Sequence, residues 1–361
     1  MQVPVYLDWN ATAPLRPEAK AALLAALELV GNPSSVHGPG RAARRVVEQA
    51  RAQVAALAGV DPAWVLFTSG GTEANNWAVR SGLRPLVLAG ATEHASVLDA
   101  APAAPRLPVG SDGLVDLPAL DRLLTGPALV SLQLANNETG VIQPVAQAAE
   151  RVHARGGLLH VDAVQAAGRL VLDRPALGAD LLSLSAHKIG GPKGVGALIA
   201  DPALDLAPLL RGGGQEARRR AGTENVAAIA GFGAAADAAR AGLAGMAALA
   251  ALRDQLEVRL SHAGGQVVAR HAPRLANTSC VARPGRSAQT QLMALDLAGF
   301  AVSAGAACSS GKVAASPVLR AMGLGDAVAG SAIRISLGWS TTAAELDRFA
   351  EAYAALVGAP R

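Results

Sequence analysis

Lysine is scarce in this chain: of 32 lysines and arginines together, lysine stands only at 20, 188, 193 and 312. A sequence that writes arginine for nearly every cation gives chemical interest to a lysine set among other polar groups. Cysteine is scarcer still, at 280 and 308 alone, which provides no disulfide framework and no CxxC metal pair. Aromatic residues are 3% of the chain and the net charge is +4 over 361 residues. With Arg218 to Arg220 as the clearest basic run, a nucleic-acid surface has little support. Apolar runs such as Ala21 to Val30 are broken by Glu28 and are too short to span a bilayer. No basic-then-apolar leader precedes the strand-like VPVYLDW. The expectation is a soluble, cytoplasmic protein of a reducing compartment, with neither membrane nor nucleic acid among its partners.

What is present is a globular composition, 51% hydrophobic and 17% charged with 39 glycines. The chain opens as a short strand (Val3 to Leu7) and a polar turn, Asp8 to Pro14. A helix follows from about Pro17 to Val30, then GNPSSVHGPG (31–40), a loop by composition, then a helix from Arg41 to Leu57. From Trp64 onward strands alternate with helices: 64–68, 86–89, 129–134, 157–161, 181–184 and 195–200 read as strands. This order predicts an α/β fold with a mostly parallel sheet flanked by helices. An arginine- and glycine-rich loop covers 211–224, an alanine-rich helical region about 226–260, and the remainder from 266 reads as a smaller α+β domain with a strand at 333–337. Residues 14–246 are expected to form the large domain, and 1–13 with 247–361 the small one. Gly38 to Ala43 and Gly231 to Ala236 imitate a dinucleotide fingerprint, but neither lies in a βαβ unit.

Polar residues follow the C-terminal ends of at least five strands, the edge at which open α/β sheets bind ligands. One of these clusters is SLSAHKIGGPKGVG (183–196), with Lys188 at its centre. A desolvated lysine can lose its proton and attack a carbonyl, which arginine cannot do. Lys188 is thus a candidate to hold pyridoxal 5'-phosphate (PLP) as a Schiff base. PLP also needs an acid for its pyridine nitrogen, donors for its phosphate and a group above its ring. Asp162 at a strand end supplies the acid, and Ser69-Gly70-Gly71-Thr72 at a helix start supplies N–H groups, with Ser185 and His187 beside Lys188. His94, just past another strand, suits a ring-stacking imidazole that moves protons. Plainer readings stand beside these: a loop lysine, an Asp162 helix cap, an ordinary cap at Ser69 and a structural His94. Cys308 lies among small residues in AACSSG (306–311), where a thiolate can attack sulfur; the alternative is a buried apolar cysteine, the reading given to Cys280.

With these segments in view, the chain resembles the PLP-dependent cysteine desulfurases of the NifS/IscS type, in the class V aminotransferase group of fold-type I enzymes. The resemblance rests on YLDWNATAP, GNPSSVHGPG, FTSGGTEANN, TEHASV, ANNETGVIQP, HVDAVQAAG, SLSAHKIGGPKGVG, GGGQE with RRAGTENVAAIAGFG, SAGAACSSG and SAIRISLGWSTT, in order from residue 6 to 342. It implies Lys188 as the Schiff-base residue, Asp162 as pyridinium partner and His94 stacked on the ring. Gly71, Thr72, Ser185 and His187 would hold the phosphate, Thr223 would reach the phosphate of a neighbouring subunit in a homodimer, and Gln165 and Asn137 would meet the ring hydroxyl or the substrate. Arg334, with Asn32 nearby, would bind the carboxylate of L-cysteine, and Cys308 would take its sulfur as a persulfide. The implied partners are L-cysteine and a sulfur-acceptor protein such as an iron–sulfur scaffold, and no metal site is implied.

Overall fold

The computed structural model describes residues 4–307 and 313–358. In chain order its strands are β1 (Val5–Tyr6), β2 (Val65–Thr68), β3 (Leu86–Gly90), β4 (Arg106–Leu107), β5 (Ala128–Gln133), β6 (Leu158–Asp162), β7 (Leu181–Ser185), β8 (Gly196–Ala200), β9 (Gln266–Val267), β10 (Thr278–Ala282), β11 (Phe300–Ala301), β12 (Ser303–Ala304), β13 (Ala306–Ala307), β14 (Val313–Ala314) and β15 (Ala332–Ser336). Seven form one sheet in the order β2-β8-β7-β6-β5-β3-β4. Only β8 runs against its neighbours in that sheet. The other six therefore point one way and deliver their C-terminal residues to one edge.

Apolar side chains on both faces of these strands explain why the sheet is a middle layer. Leu182, Leu184, Ala197 and Ile199 enter one core, and Leu181, Leu198 and Ala200 the opposite one with Trp77. The first core is closed by α1 (Pro17–Leu27), α2 (Gly38–Ala58) and the helix Val226–Ala241, which packs against both. The second is closed by α3 (Gly71–Val79). A further core draws on Val5, Leu7 and residues from Leu249 onward. It surrounds the antiparallel sheet β12-β15-β10-β9, to which the bridge between Asp8 and Ser336 joins the start of the chain.

Three boundaries differ from expectation. Helix α2 starts at Gly38, inside the segment read as loop, because glycine and proline are tolerated in a first turn and His37 Nδ1 caps the N–H of Gly40 at 3.2 Å. Helix α1 stops at Leu27 rather than Val30. The region 226–260 is two helices, Val226–Ala241 and Met246–His262, joined by the tight turn Gly242–Gly245. The whole stretch 226–262 is long and apolar enough by length and composition to cross a membrane. Within this fold its first helix is clasped by α1 and α2, with Ile229, Phe232 and Ala236 buried.

On the Trp77 side, one polar line crosses the sheet beneath its ligand edge. His160 of β6 bonds Ser131 of β5 at 2.8 Å through Nδ1 and Ser183 of β7 at 2.9 Å through Nε2. Burial alone drives its imidazole down to about 3, so His160 is neutral, with one serine donating to it and the other accepting. A depressed basic group gives stability that is complete above the unfolded value of about 6.5 and declines as pH falls toward 3. Chemical denaturation from pH 7 to 4 is expected to show wild-type stability falling more steeply than that of His160→Gln, by up to about 1.4 kcal/mol per pH unit. Parallel slopes would show that His160 is not held neutral.

Candidate active site

Strand β7 ends at Ser185, and the tight turn Ala186–Lys188 then lifts Lys188 over the sheet edge. A cavity of about 380 Å³ opens there, lined by groups from β6, β7, α3, the Asp8–Pro14 turn and the second sheet. Lys188 Nζ donates to the carbonyls of Asn10 at 2.6 Å and Ala11 at 2.8 Å. Burial, reinforced by the guanidinium groups of Arg334 and Arg169, lowers this amine to about 7; Asp8 and Asp162 oppose the shift without cancelling it. A large fraction is therefore the free, nucleophilic amine near neutral pH.

At one end the cavity continues into a shallower one lined by Ser69, Gly70, Gly71, Thr72, Ser185, His187 and Lys193. Here α3 begins, and unlike α2 it has no side chain capping its first turn. Its leading N–H groups and dipole are thus available to an anion. Gly71 approaches the segment after β6 closely enough that a Cβ would lie 2.8 Å from Val164 Cγ2. Burial and the neighbouring Lys188 and Lys193 hold His187 down to about 4, and its Nδ1 lies 3.2 Å from Thr12 Oγ1.

At the floor, Asp162 is 7% exposed. Its Oδ1 accepts the N–H of Val164 at 2.9 Å and its Oδ2 accepts from Asn75 Nδ2 at 2.7 Å. The same Asn75 nitrogen donates to Ser96 Oγ at 2.9 Å, and Ser96 Oγ lies 2.8 Å from His94 Nδ1. His94 lines the cavity and caps the short helix α4 (Ala95–Leu98), its Nδ1 accepting from Ser96 N–H at 3.1 Å. The adjoining Glu93 is wholly buried, bonded by the N–H of Gln133 at 2.6 Å. Burial and the nearby Asp162 push Glu93 well above the ordinary carboxylate value.

The opposite wall is a seam between the sheets. Arg334, 5% exposed on β15, is far from a rim residue. It donates through Nη2 to Asp8 Oδ1 at 2.6 Å and through Nη1 to the carbonyl of Asn137 at 3.1 Å. Its Nε–H has no partner among the described residues. Gln165 is oriented by Arg169, which donates to Gln165 Oε1 at 2.5 Å, so the Gln165 amide nitrogen is the end that reaches the Asn10 carbonyl at 3.0 Å. Asn10 in turn donates to Thr278 Oγ1 at 2.9 Å and accepts from Asn277 at 3.1 Å.

The cavity thus gathers Gly71, Thr72, His94, Asn137, Asp162, Gln165, Ser185, His187, Lys188 and Arg334. It does not gather Asn32, which is exposed between α1 and α2 with its side chain accepting from Ser34 N–H. Thr223 is exposed and also outside the lining. It sits on a loop anchored by Glu216, whose carboxylate takes both arms of Arg51 at 2.8 Å and the N–H of Phe67 at 2.9 Å. That anchor holds Glu216, Ala217 and Arg218 at left-handed φ values of 45°, 55° and 66°. Arg220 ties the loop to Glu73 of α3 at 2.9 Å. Cys308 lies outside the described residues, between the paired strands β13 and β14. Near Gly305, Glu138 accepts from Ser316 Oγ at 2.5 Å, and a Cβ on Gly305 would overlap its Oε2. Cys280 is buried, and burial pushes its thiol up to about 12, as befits an inert apolar residue.

Sequence reasoning missed Asn75, Ser96, Asn10, Asp8 and Arg169. Asn75 carried a signal: it is polar on the helix face that also presents Ala74 and Ala78 to the core. The others have partners set by how the two sheets dock. A free amine, a carboxylate on the cavity floor and an uncapped helix start at its end are the set that PLP requires, so the residues present fit that cofactor.

Known proteins agree. A family model for class-V aminotransferases matches residues 5–349. A curated cysteine desulfurase of Cereibacter sphaeroides is 45% identical, over 96% of this chain and 94% of its own. The structure of a NifS-like protein from Rickettsia africae superimposes with a TM-score of 0.91 at 36% identity, covering 97% of this chain and 98% of that one. A structure of SspA in complex with cysteine does so with a TM-score of 0.81 at 26% identity, covering 92% and 98%. This chain belongs to the class-V aminotransferase family, within its PLP-dependent NifS/IscS-type cysteine desulfurases.

Proposed function

We propose that this protein is a cysteine desulfurase that converts L-cysteine to L-alanine and leaves the sulfur on Cys308 as a persulfide. The observation that carries the reading is the half-buried Lys188 amine, lowered to about 7 in the lining of a cavity that also holds Asp162, His94 and Arg334. Full-length similarity to curated cysteine desulfurases supports it.

PLP would be held by Lys188, Asp162 and the α3 start, and would supply an aldehyde and an electron-withdrawing ring. Arg334 is fixed by Asp8 and the Asn137 carbonyl, which leaves the second hydrogens of Nη1 and Nη2 for the substrate carboxylate. Lys188 is the base placed to take the Cα proton and return it, since an amine near 7 can do both at neutral pH. His94 offers Nε2 to the cavity for a further proton exchange, because its Nδ1 is engaged by Ser96. The Cys308 thiolate attacks the substrate sulfur: the Cβ–S bond breaks, an S–S bond forms, and Cβ keeps the electron pair and takes up a proton. L-Cysteine and a thiol enter; L-alanine and a persulfide leave, with no outside oxidant.

Three finer points belong to the same proposal. The protein works as a homodimer, in which the exposed Thr223 loop and the apolar side chains of Leu24, Leu27 and Val30 meet a second copy. The persulfide passes to an acceptor protein such as an iron–sulfur scaffold. The compartment is a reducing one, the cytoplasm, because Cys308 must enter each turnover as a thiol.

Cys308→Ala is expected to bind PLP with wild-type absorbance and to form no sulfide or alanine from L-cysteine beyond the uncatalysed rate. Turnover at the wild-type rate would remove Cys308 from the reaction. In the cofactor-free protein, acetylation of Lys188 followed across pH by mass spectrometry should have its midpoint near 7. A midpoint near the ordinary lysine value of about 10.4 would mean that the amine is not desolvated as described.

A further inference from the structure

We infer that Asn75 is a positioning residue that couples the carboxylate of Asp162 to the ring of His94, so that the floor and wall of the cavity act as one unit. The bonds run in one direction. Asn75 Nδ2 has two hydrogens and two acceptors, Asp162 Oδ2 at 2.7 Å and Ser96 Oγ at 2.9 Å. Because Ser96 Oγ accepts from Asn75 rather than donating to it, the Ser96 hydroxyl proton is left to give to His94 Nδ1 at 2.8 Å. The Ser96 N–H also points to that nitrogen, at 3.1 Å. His94 Nδ1 is therefore an acceptor, and the ring proton resides on Nε2, which has no protein partner among the described residues and belongs to a side chain lining the cavity.

The amide of Asn75 gives a second, independent reason for this reading. Its Oδ1 is buried and without a partner among the described residues, while the side chain lies on the cavity wall. Turning the amide over would bring Oδ1 against Asp162 Oδ2, two acceptors at hydrogen-bond distance. The carboxylate thus dictates which way Asn75 faces, and Asn75, by donating to Ser96 Oγ instead of accepting from it, leaves the Ser96 proton for His94. Removing the charge from Asp162 frees the amide to turn. Its oxygen can then take the Ser96 proton, leaving Ser96 Oγ to accept from His94 instead. A one-atom change at 162 is in this way transmitted to the imidazole through two side chains that touch neither PLP nor substrate in the roles described above.

The assignment of Asp162 and His94 to the reaction rests on the PLP reading, but the coupling itself belongs to the protein and is tested without the cofactor. The full chain is labelled with 15N-histidine, cleared of PLP and studied by NMR above about pH 8, where an ordinary imidazole is neutral. His94 is assigned by the loss of its signals in His94→Gln. The wild-type protein should show a non-protonated Nδ1 and a protonated Nε2 at His94. Asp162→Asn should shift the Nδ1 resonance, and that shift should vanish when Asn75→Leu is already present. Ser96→Ala, which breaks the same chain one bond later and keeps the backbone N–H, replaces Asn75→Leu if that variant does not fold. A wild-type His94 protonated on Nδ1 overturns the inference. So does an Asp162→Asn response of equal size with the relay broken, the mark of a field acting through space, or no response in either background.

Discussion

One charge is expensive in this molecule, and the site is arranged around it. The ammonium form of Lys188 sits near the end of a buried strand, against two backbone carbonyls, with the cations of Arg334 and Arg169 close enough to oppose it. Desolvation makes the largest contribution to its lowered pKa, and like charges add to it. The parallel strands deliver their ends to one edge, and the turn Ala186–Lys188 places the amine above that edge but still inside the protein. An arginine here would stay charged, which gives the scarcity of lysine elsewhere in the chain its point.

The surroundings of the amine depend on a seam between two sheets. Asp8, from the turn after β1, pairs with Arg334 on β15, while Asn10 from the same turn joins Asn277, Thr278 and Gln165. These bonds close the cavity with groups that are remote in sequence, so the carboxylate-binding arginine and the reactive lysine share one rigid boundary. Asp8 matters twice here, because it orients Arg334 and also offsets part of the positive field at Lys188. The neutral His160 line under the sheet does similar work out of sight, tying β5, β6 and β7 side by side where they present their catalytic ends.

Much of this was legible in the chain. Asp162 ends a strand and Lys188, His94 and the Ser69–Thr72 turn come just after one, and local pattern places strand ends well, so they could be read as one edge. The start of α2 was misread because Gly38 and Pro39 look like loop residues by type, although a first helical turn accepts both. Asn32, taken from the resemblance, does not line this chain's cavity, since its loop runs over the surface, while Thr223, expected to serve a neighbouring subunit, is exposed on its loop. Asn10, Asp8 and Arg169 could not be found from sequence, because a buried polar residue earns its partners only when distant segments dock. Asn75 lies between these cases: its place on a buried helix face was readable, and its link to Asp162 and Ser96 was not.

The central claim is that Lys188 is the residue joined to PLP. The most direct measurement is borohydride reduction of the PLP-loaded protein, followed by digestion and peptide mapping of the pyridoxyl group. The account predicts a single fixed label on Lys188. A label on Lys20 or Lys193, or cofactor released intact after reduction, would contradict it.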